Sequence, residues 1–379
     1  MKAAYIHIPF CEHICYYCDF NKFLLNGQPV DEYIDMLLKE MKMKMKISNA
    51  PKTELSTIFV GGGTPTALNE GQLQKLLEGI RAILPYNGEG EFTFEANPGE
   101  TSEEKLKLLF DYGVNRLSFG VQSFNDRLLE KIGRSHRVKD VFSTLNKAQK
   151  VGFENISIDL MFGLPTQTIE DFQETLNIAM SLQLPHYSSY SLIIEPKTIF
   201  YHLMNKGKLP LPTEEAEADM YQLLMMEMDK HGLNQYEISN FALPGYESQH
   251  NLIYWNNEEY FGFGAGAHGY ENGIRVANYG AVKKYINMLK DHALPILEQH
   301  VETKSEKMEE EMFLGLRKNE GVSIAHFREK FHEDITKLFA SSIQEMERRG
   351  LLERHGDFIR LTREGRFLGN EVFEAFLLE

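Results

Sequence analysis

The chain has 379 residues, 42% hydrophobic and 25% charged, with a mean hydropathy of −0.35. That describes an ordinary globular protein of about two to three domains and excludes disordered, fibrous and small disulfide-stapled classes. Lys and Arg number 40 against 55 Asp and Glu, and the net charge of −15 offers no general field for nucleic acid, so none is expected as a partner.

The N-terminal half alternates short β-rich runs with helical periods. In chain order, strands are expected at Ala4–Ile8, Thr57–Val60 and Phe92–Ala96, with helices at Val30–Lys46 and Glu70–Ile83 between them. A helix over Ser102–Tyr112 follows, with Thr101 and Glu104 as a capping box. A strand at Arg116–Phe119, helices at Asp126–Ile132 and Val138–Val151, a strand at Ile156–Leu160, a helix at Ile169–Leu182 and a strand at Ser188–Leu192 complete the pattern. Parallel strands joined by right-handed crossovers leave an α/β architecture, either an open sheet or a complete or partial barrel.

After Pro196 the pattern changes to a long helix over Glu214–Lys230, the stretch Tyr236–Asn240 and a Gly- and aromatic-rich segment from Tyr254 to Tyr270, expected to form a lid or substrate-binding extension. Helices are expected at Glu309–Leu316, Ile324–Lys330 and Ile335–Arg349, then a β-like run at Phe358–Thr362, a winged-helix pattern. Residues 305–379 hold 12 Lys and Arg against 16 Asp and Glu, which points to a structural or protein-contact role rather than DNA binding. The run Glu302–Glu311 is expected to be a solvated linker or helix face. The domains expected are 1–195, a (β/α)6 unit; 196–300, an α+β extension; and 301–379, the winged-helix-like module.

All three cysteines, Cys11, Cys15 and Cys18, fall within eight residues, too tight and too odd a set for a disulfide framework. Three thiolates on one loop can hold three irons of a [4Fe-4S] cluster and leave the fourth open. The alternative is zinc, completed by His7 or His13. Gly61-Gly62-Gly63-Thr64-Pro65 follows a strand and permits close backbone approach to a ligand, while Glu95, Gln122 and Asp159 fall at other strand ends, where such folds collect their chemistry.

Together these features resemble the radical S-adenosylmethionine (SAM) enzymes, closest to the oxygen-independent coproporphyrinogen III oxidase family. The likeness runs over nearly the whole chain, through Tyr5–Cys11, Gly61–Pro65, Phe94–Pro98, Phe119–Ser123 and Asp159–Pro165. It implies a partial (β/α)6 barrel in which Cys11, Cys15 and Cys18 bind the cluster and SAM is cleaved to a 5′-deoxyadenosyl radical. It further implies that Tyr5, Tyr17, Gly62 and Glu95 contact that SAM, and that Gly63, Thr64, Gln122, Arg134 and Asp159 hold a second one. Ile193 and His268 align less closely with the second set. Without the resemblance, Arg134 and Asp159 would read as an ordinary ion pair or helix-end contact.

The oxidase has a further cysteine two residues after the third, where this chain has Phe20, and an N-terminal extension absent before Tyr5. Both differences, with Cys18-Asp19-Phe20 and His250-Asn251-x-x-Tyr254-Trp255, resemble the HemW-type heme chaperones within that family. The resemblance implies heme or porphyrin as cargo, His250 in heme binding, and delivery to respiratory acceptor proteins. A neutral imidazole suits heme iron, but His250 also reads as a loop histidine bonded to backbone beside a buried tryptophan. The other function considered is decarboxylation of coproporphyrinogen III to protoporphyrinogen IX. No apolar run reaches the ~20 residues of a membrane span and no signal-like segment precedes Cys11, so a cytoplasmic protein is expected, with peripheral membrane association and homodimer formation compatible with it.

Overall fold

The structure is a computed structural model and describes residues 1–47 and 54–378. All six expected parallel strands are present: β1 (Ala3–Ile8), β2 (Thr57–Gly62), β3 (Glu91–Ala96), β4 (Arg116–Gln122), β5 (Asn155–Phe162) and β6 (His186–Ser191). They lie side by side in chain order, Ala3 opposite Thr57 at one end and Ser157 opposite His186 at the other.

The segments after residue 196 supply both flanks of the same sheet. Tyr260–Phe263 pairs in parallel with β1, and His268–Glu271, Ile274–Asn278 and Ile296–Val301 follow it antiparallel. Asn240–Ala242 and Asn234–Glu237 add antiparallel strands beyond β6. The outcome is one twelve-stranded sheet whose order does not close, which excludes a complete barrel and accords with the expected partial (β/α)6 barrel, extended at both edges.

The helices pack on the outer face for the usual reason, an apolar stripe at helical spacing. In Val30–Ile47 that stripe is Val30, Tyr33, Ile34, Leu37 and Met41, all buried against the strands. Each such side chain contributes about 1.5–3 kcal/mol through burial. The expected Thr101–Glu104 capping box is not formed. Ser102 caps Glu103–Asp111 by accepting from the Lys105 N–H, and the Thr101 hydroxyl donates instead to the Asn97 carbonyl.

The C-terminal module has its own core, from Met308 to Phe376, around a three-stranded antiparallel sheet of Val322–Ser323, Leu352–His355 and Phe358–Leu361. The expected helix over Ile335–Arg349 is two, Ile335–Leu338 and Ala340–Arg348, broken at Phe339. The Phe339 ring is drawn into the module core against Phe327 and Phe376. The run Glu302–Glu311 is not simply solvated: it forms most of Lys304–Gly315, capped by Thr303 and Glu306, and both its end carboxylates are buried. Glu302 pairs with Arg275 at 2.7 Å and Glu311 with Lys330 at 2.6 Å. Among the described residues, no helix is long and apolar enough to cross a membrane.

Candidate cofactor site

Side chains alternate across a strand, so one face of the central sheet packs on helices while the other looks inward. Phe94, Phe119, Ile158 and Leu160 take the helix side. Their neighbours Glu95, Ser118, Gly120, Gln122, Asp159, Met161 and Tyr190 take the inner side, where they line a cavity of about 510 Å³. Into the same cavity wall come Cys11, Cys15, Cys18, Tyr17, Gly62, Gly63, Thr64, Arg134 and Ile193. The cavity therefore gathers every site residue expected from the sequence except Tyr5, His7, His250 and His268.

The cysteine loop leaves β1 through Phe10–Cys11, which pairs in parallel with Phe23–Leu24, and this pairing closes the loop at its base. The Tyr16 N–H donates to the Ile132 carbonyl and the Phe200 N–H to the Tyr16 carbonyl, tying the loop to two other segments. Tyr5 stands a layer below: its hydroxyl meets His7 Nδ1 at 2.9 Å, and His7 Nε2 meets the Asn21 carbonyl at 2.8 Å. Asn21 Nδ2 donates in turn to the carbonyls of Ala265 and Gly280.

Both ring nitrogens of His7 are thus spent, which removes it as a zinc ligand. Among the described residues, no group of three His, Cys, Asp or Glu side chains is placed to hold a single metal ion. A cubic cluster spaces its irons apart, so its three thiolates need not converge on one point. Burial pushes the Cys11 thiol up to about 12, against the hydrogen bond it accepts from Thr64 Oγ1 at 3.6 Å.

Thr64 links that thiol to the next strand end. Its backbone N–H donates to the Phe10 carbonyl at 2.7 Å, and its hydroxyl accepts from Asn97 Nδ2 at 2.9 Å. Asn97 Oδ1 in turn accepts from Arg134 Nη2 at 2.7 Å, and Arg134 Nη1 lies 3.4 Å from Cys15 Sγ. Arg134 is therefore no partner of Asp159, as the ion-pair alternative had it. Asn97 is the centre of this chain, and its place in Phe94–Pro98 was the only sign of it in the sequence.

Glu95 Oε2 accepts from the Gly62 N–H at 2.9 Å. Burial raises its carboxyl to about 7, with the Gly62 bond opposing and Asp159 adding to the rise. Asp159, raised by burial, accepts from Ser118 at 3.2 Å. Gln122 sits at a bulge of β4 with φ of 67°, in the left-handed region. Its buried Oε1 and the buried Nε of Arg134 have no hydrogen-bond partner in the protein. Such groups are costly unless a ligand satisfies them, and both line the cavity.

His250 lies elsewhere. It belongs to a short helix, Gln249–Trp255, whose N-terminal N–H groups at Gln249 and His250 donate to Glu91, packing the helix on the inner face of the sheet. Its ring is buried between Thr57 Oγ1 and the Tyr254 hydroxyl, both at 2.8 Å, with Phe59 alongside. Neither nitrogen is free for heme iron, and its partners are side-chain hydroxyls rather than the backbone groups expected for a loop histidine.

Burial first, then Arg116, lowers the His250 imidazole from 6.5 to about 3. As pH falls, the unfolded chain takes up this proton first, so the contribution to stability present above 6.5 is lost below it. Relative to His250→Gln, the wild-type chain is expected to lose about 1.4 kcal/mol more between pH 7.5 and 5.5. Urea unfolding at the two pH values checks this, and equal losses would show that the imidazole titrates normally.

Residues 5–179 match the family model of the Radical SAM superfamily, and residues 303–368 that of the HemN C-terminal domain. The heme chaperone HemW of Bacillus subtilis (strain 168) is 55% identical over 380 residues, covering all of both chains. That of Lactococcus lactis subsp. lactis (strain IL1403) is 47% identical over 378 residues, covering 100% of this chain and 98% of the other. Among solved structures, the coproporphyrinogen III oxidase HemN of Escherichia coli aligns with a TM-score of 0.85 at 25% identity, over 99% of this chain and 90% of its own. The chain belongs to the heme chaperone HemW family, within the radical SAM superfamily.

Proposed function

We propose that this protein is a cytoplasmic heme chaperone that holds a [4Fe-4S] cluster and SAM in the inner cavity, binds heme as cargo and passes it to respiratory acceptor proteins. The observation that carries the reading is the 55% identity to a heme chaperone over both full lengths. Cys11, Cys15 and Cys18 would hold the cluster, which when bound supplies single electrons to SAM. Tyr17, Gly62 and Glu95 would receive that SAM, the Glu95 carboxylate accepting from its ammonium group. Gly63, Thr64, Gln122, Arg134 and Asp159 would line a second SAM position, with the unpartnered Gln122 Oε1 and Arg134 Nε among its contacts.

The chain's own residues also set the field around the thiols. Thr64 donates to Cys11 Sγ and Arg134 approaches Cys15 Sγ, contacts that stabilise thiolate charge. The likeness to the E. coli oxidase favours a second reading, decarboxylation of coproporphyrinogen III. Phe20, in place of the oxidase's further cysteine, weighs against it.

An anaerobic assay separates the two. With the cluster reconstituted and SAM, a strong reductant and coproporphyrinogen III present, no protoporphyrinogen is expected by chromatography, while hemin binds and moves to an apo-acceptor. Stoichiometric protoporphyrinogen would make the protein an oxidase.

A further inference from the structure

Among the described residues, the C-terminal module reaches the cavity through one, Arg317. Arg317 follows helix Lys304–Gly315 and lies in the cavity wall with Ser239, Glu195 and Ile193. Its position is fixed by main chain: the Ile238 N–H donates to the Arg317 carbonyl, and the Asn319 N–H to the Tyr236 carbonyl. Its guanidinium lies over the ring of Trp255, 4.5 Å from the centroid, so the one tryptophan of the chain serves as its platform.

Among the described residues, three Lys or Arg side chains line the cavity. Lys22 donates to the Cys18 carbonyl, and Arg134 to Asn97 and Gly120. Arg317 makes no side-chain hydrogen bond, and its Nε is buried without a partner. Glu237 Oε2 forms a long ion pair with it at 4.0 Å, beyond hydrogen-bond reach, which leaves the guanidinium donors unspent. Glu237 spends its other oxygen on the Ser239 N–H and the Asn240 amide.

Two large apolar side chains in the same wall face solvent, Phe20 at 65% and Ile193 at 68% exposure. A planar cation with unspent hydrogen-bond donors, in a wall that also carries exposed apolar groups, is complementary to a flat hydrophobic molecule that carries carboxylates. We propose that Arg317, held on Trp255, receives a carboxylate of the tetrapyrrole cargo, with Phe20 and Ile193 against the macrocycle. This rests on the heme reading above. It gives Trp255 of the His250–Trp255 segment a role that does not require His250 to ligate iron.

The test is a titration of the full-length chain with hemin, followed at the Soret band, in parallel with hemin dimethyl ester, which keeps ring and iron but has no carboxylate. The wild-type chain is expected to bind hemin about tenfold more tightly than the ester, and Arg317→Gln to bind both alike. Arg317→Lys keeps charge and stem but loses the paired donors, and is expected to show a reduced preference; it also serves if the glutamine variant fails to fold. A full preference for hemin in both variants overturns the assignment of Arg317 and leaves the heme reading standing. Failure of the wild-type chain to bind hemin overturns both.

Discussion

Alanine in place of Cys11, Cys15 or Cys18 is expected to take bound iron from about four atoms per chain to near zero, with loss of the cluster's visible absorption. The three thiols lie on a loop tied down at Tyr16, at Phe23 and by the Thr64 and Arg134 contacts, so the remaining two cannot readily rearrange around a missing third. Among the described residues, no other cysteine exists to replace them. The folded chain is expected to survive, because Cys15 and Cys18 are only half-buried and neither belongs to the packed core. Iron analysis after anaerobic reconstitution, with circular dichroism as a control on folding, checks the result. Retention of about four irons by any one of the variants would remove that cysteine from the cluster.

The second large effect is expected at Gly62. Its φ of 114° lies in the left-handed region, and a Cβ there would stand 2.4 Å from the His7 ring. The ring cannot yield easily, because Tyr5 and Asn21 hold its two nitrogens. Gly62→Ala therefore combines backbone strain of about 1 kcal/mol with overpacking of about 1–3 kcal/mol, a total of about 2–4 kcal/mol of stability. Gly27 provides the control: its φ is 79°, with nothing within 4 Å of an added Cβ, so Gly27→Ala should cost only the backbone share, about 1 kcal/mol. Chemical denaturation measures both, and Gly62→Ala should also lower iron content, since a shifted His7 releases the Asn21 anchor of the cysteine loop. Equal costs at the two glycines would show that His7 moves aside freely.

The parallel strands were legible because each is a short apolar run bounded by turn residues, and the cavity because its residues fall at the ends of those runs. The flanking strands were not: Tyr260–Phe263 owes its place to β1, which no local pattern reveals. Helix Val282–Lys290, by contrast, carries a readable signal in the spacing of its buried Val282, Tyr285, Ile286 and Leu289. His250 shows another limit. Its aromatic neighbours are visible in sequence, but Thr57, which occupies one of its nitrogens, comes from a strand 193 residues away. Arg317 had no sequence signal, since only the packing of the C-terminal module on Tyr236–Ile238 brings it to the cavity.

The anchoring of Asn21 bears on the order in which the molecule matures. Its two acceptors, Ala265 and Gly280, lie 244 and 259 residues further along the chain. During synthesis at about 5–20 residues per second, the cysteine loop thus waits on the order of ten seconds or more before its support exists. Until then its thiols belong to an incomplete sheet edge. Before that point the loop is closed only by its local pairing of Phe10–Cys11 with Phe23–Leu24, and the support of Asn21 is completed when residues 260–263 pair with β1.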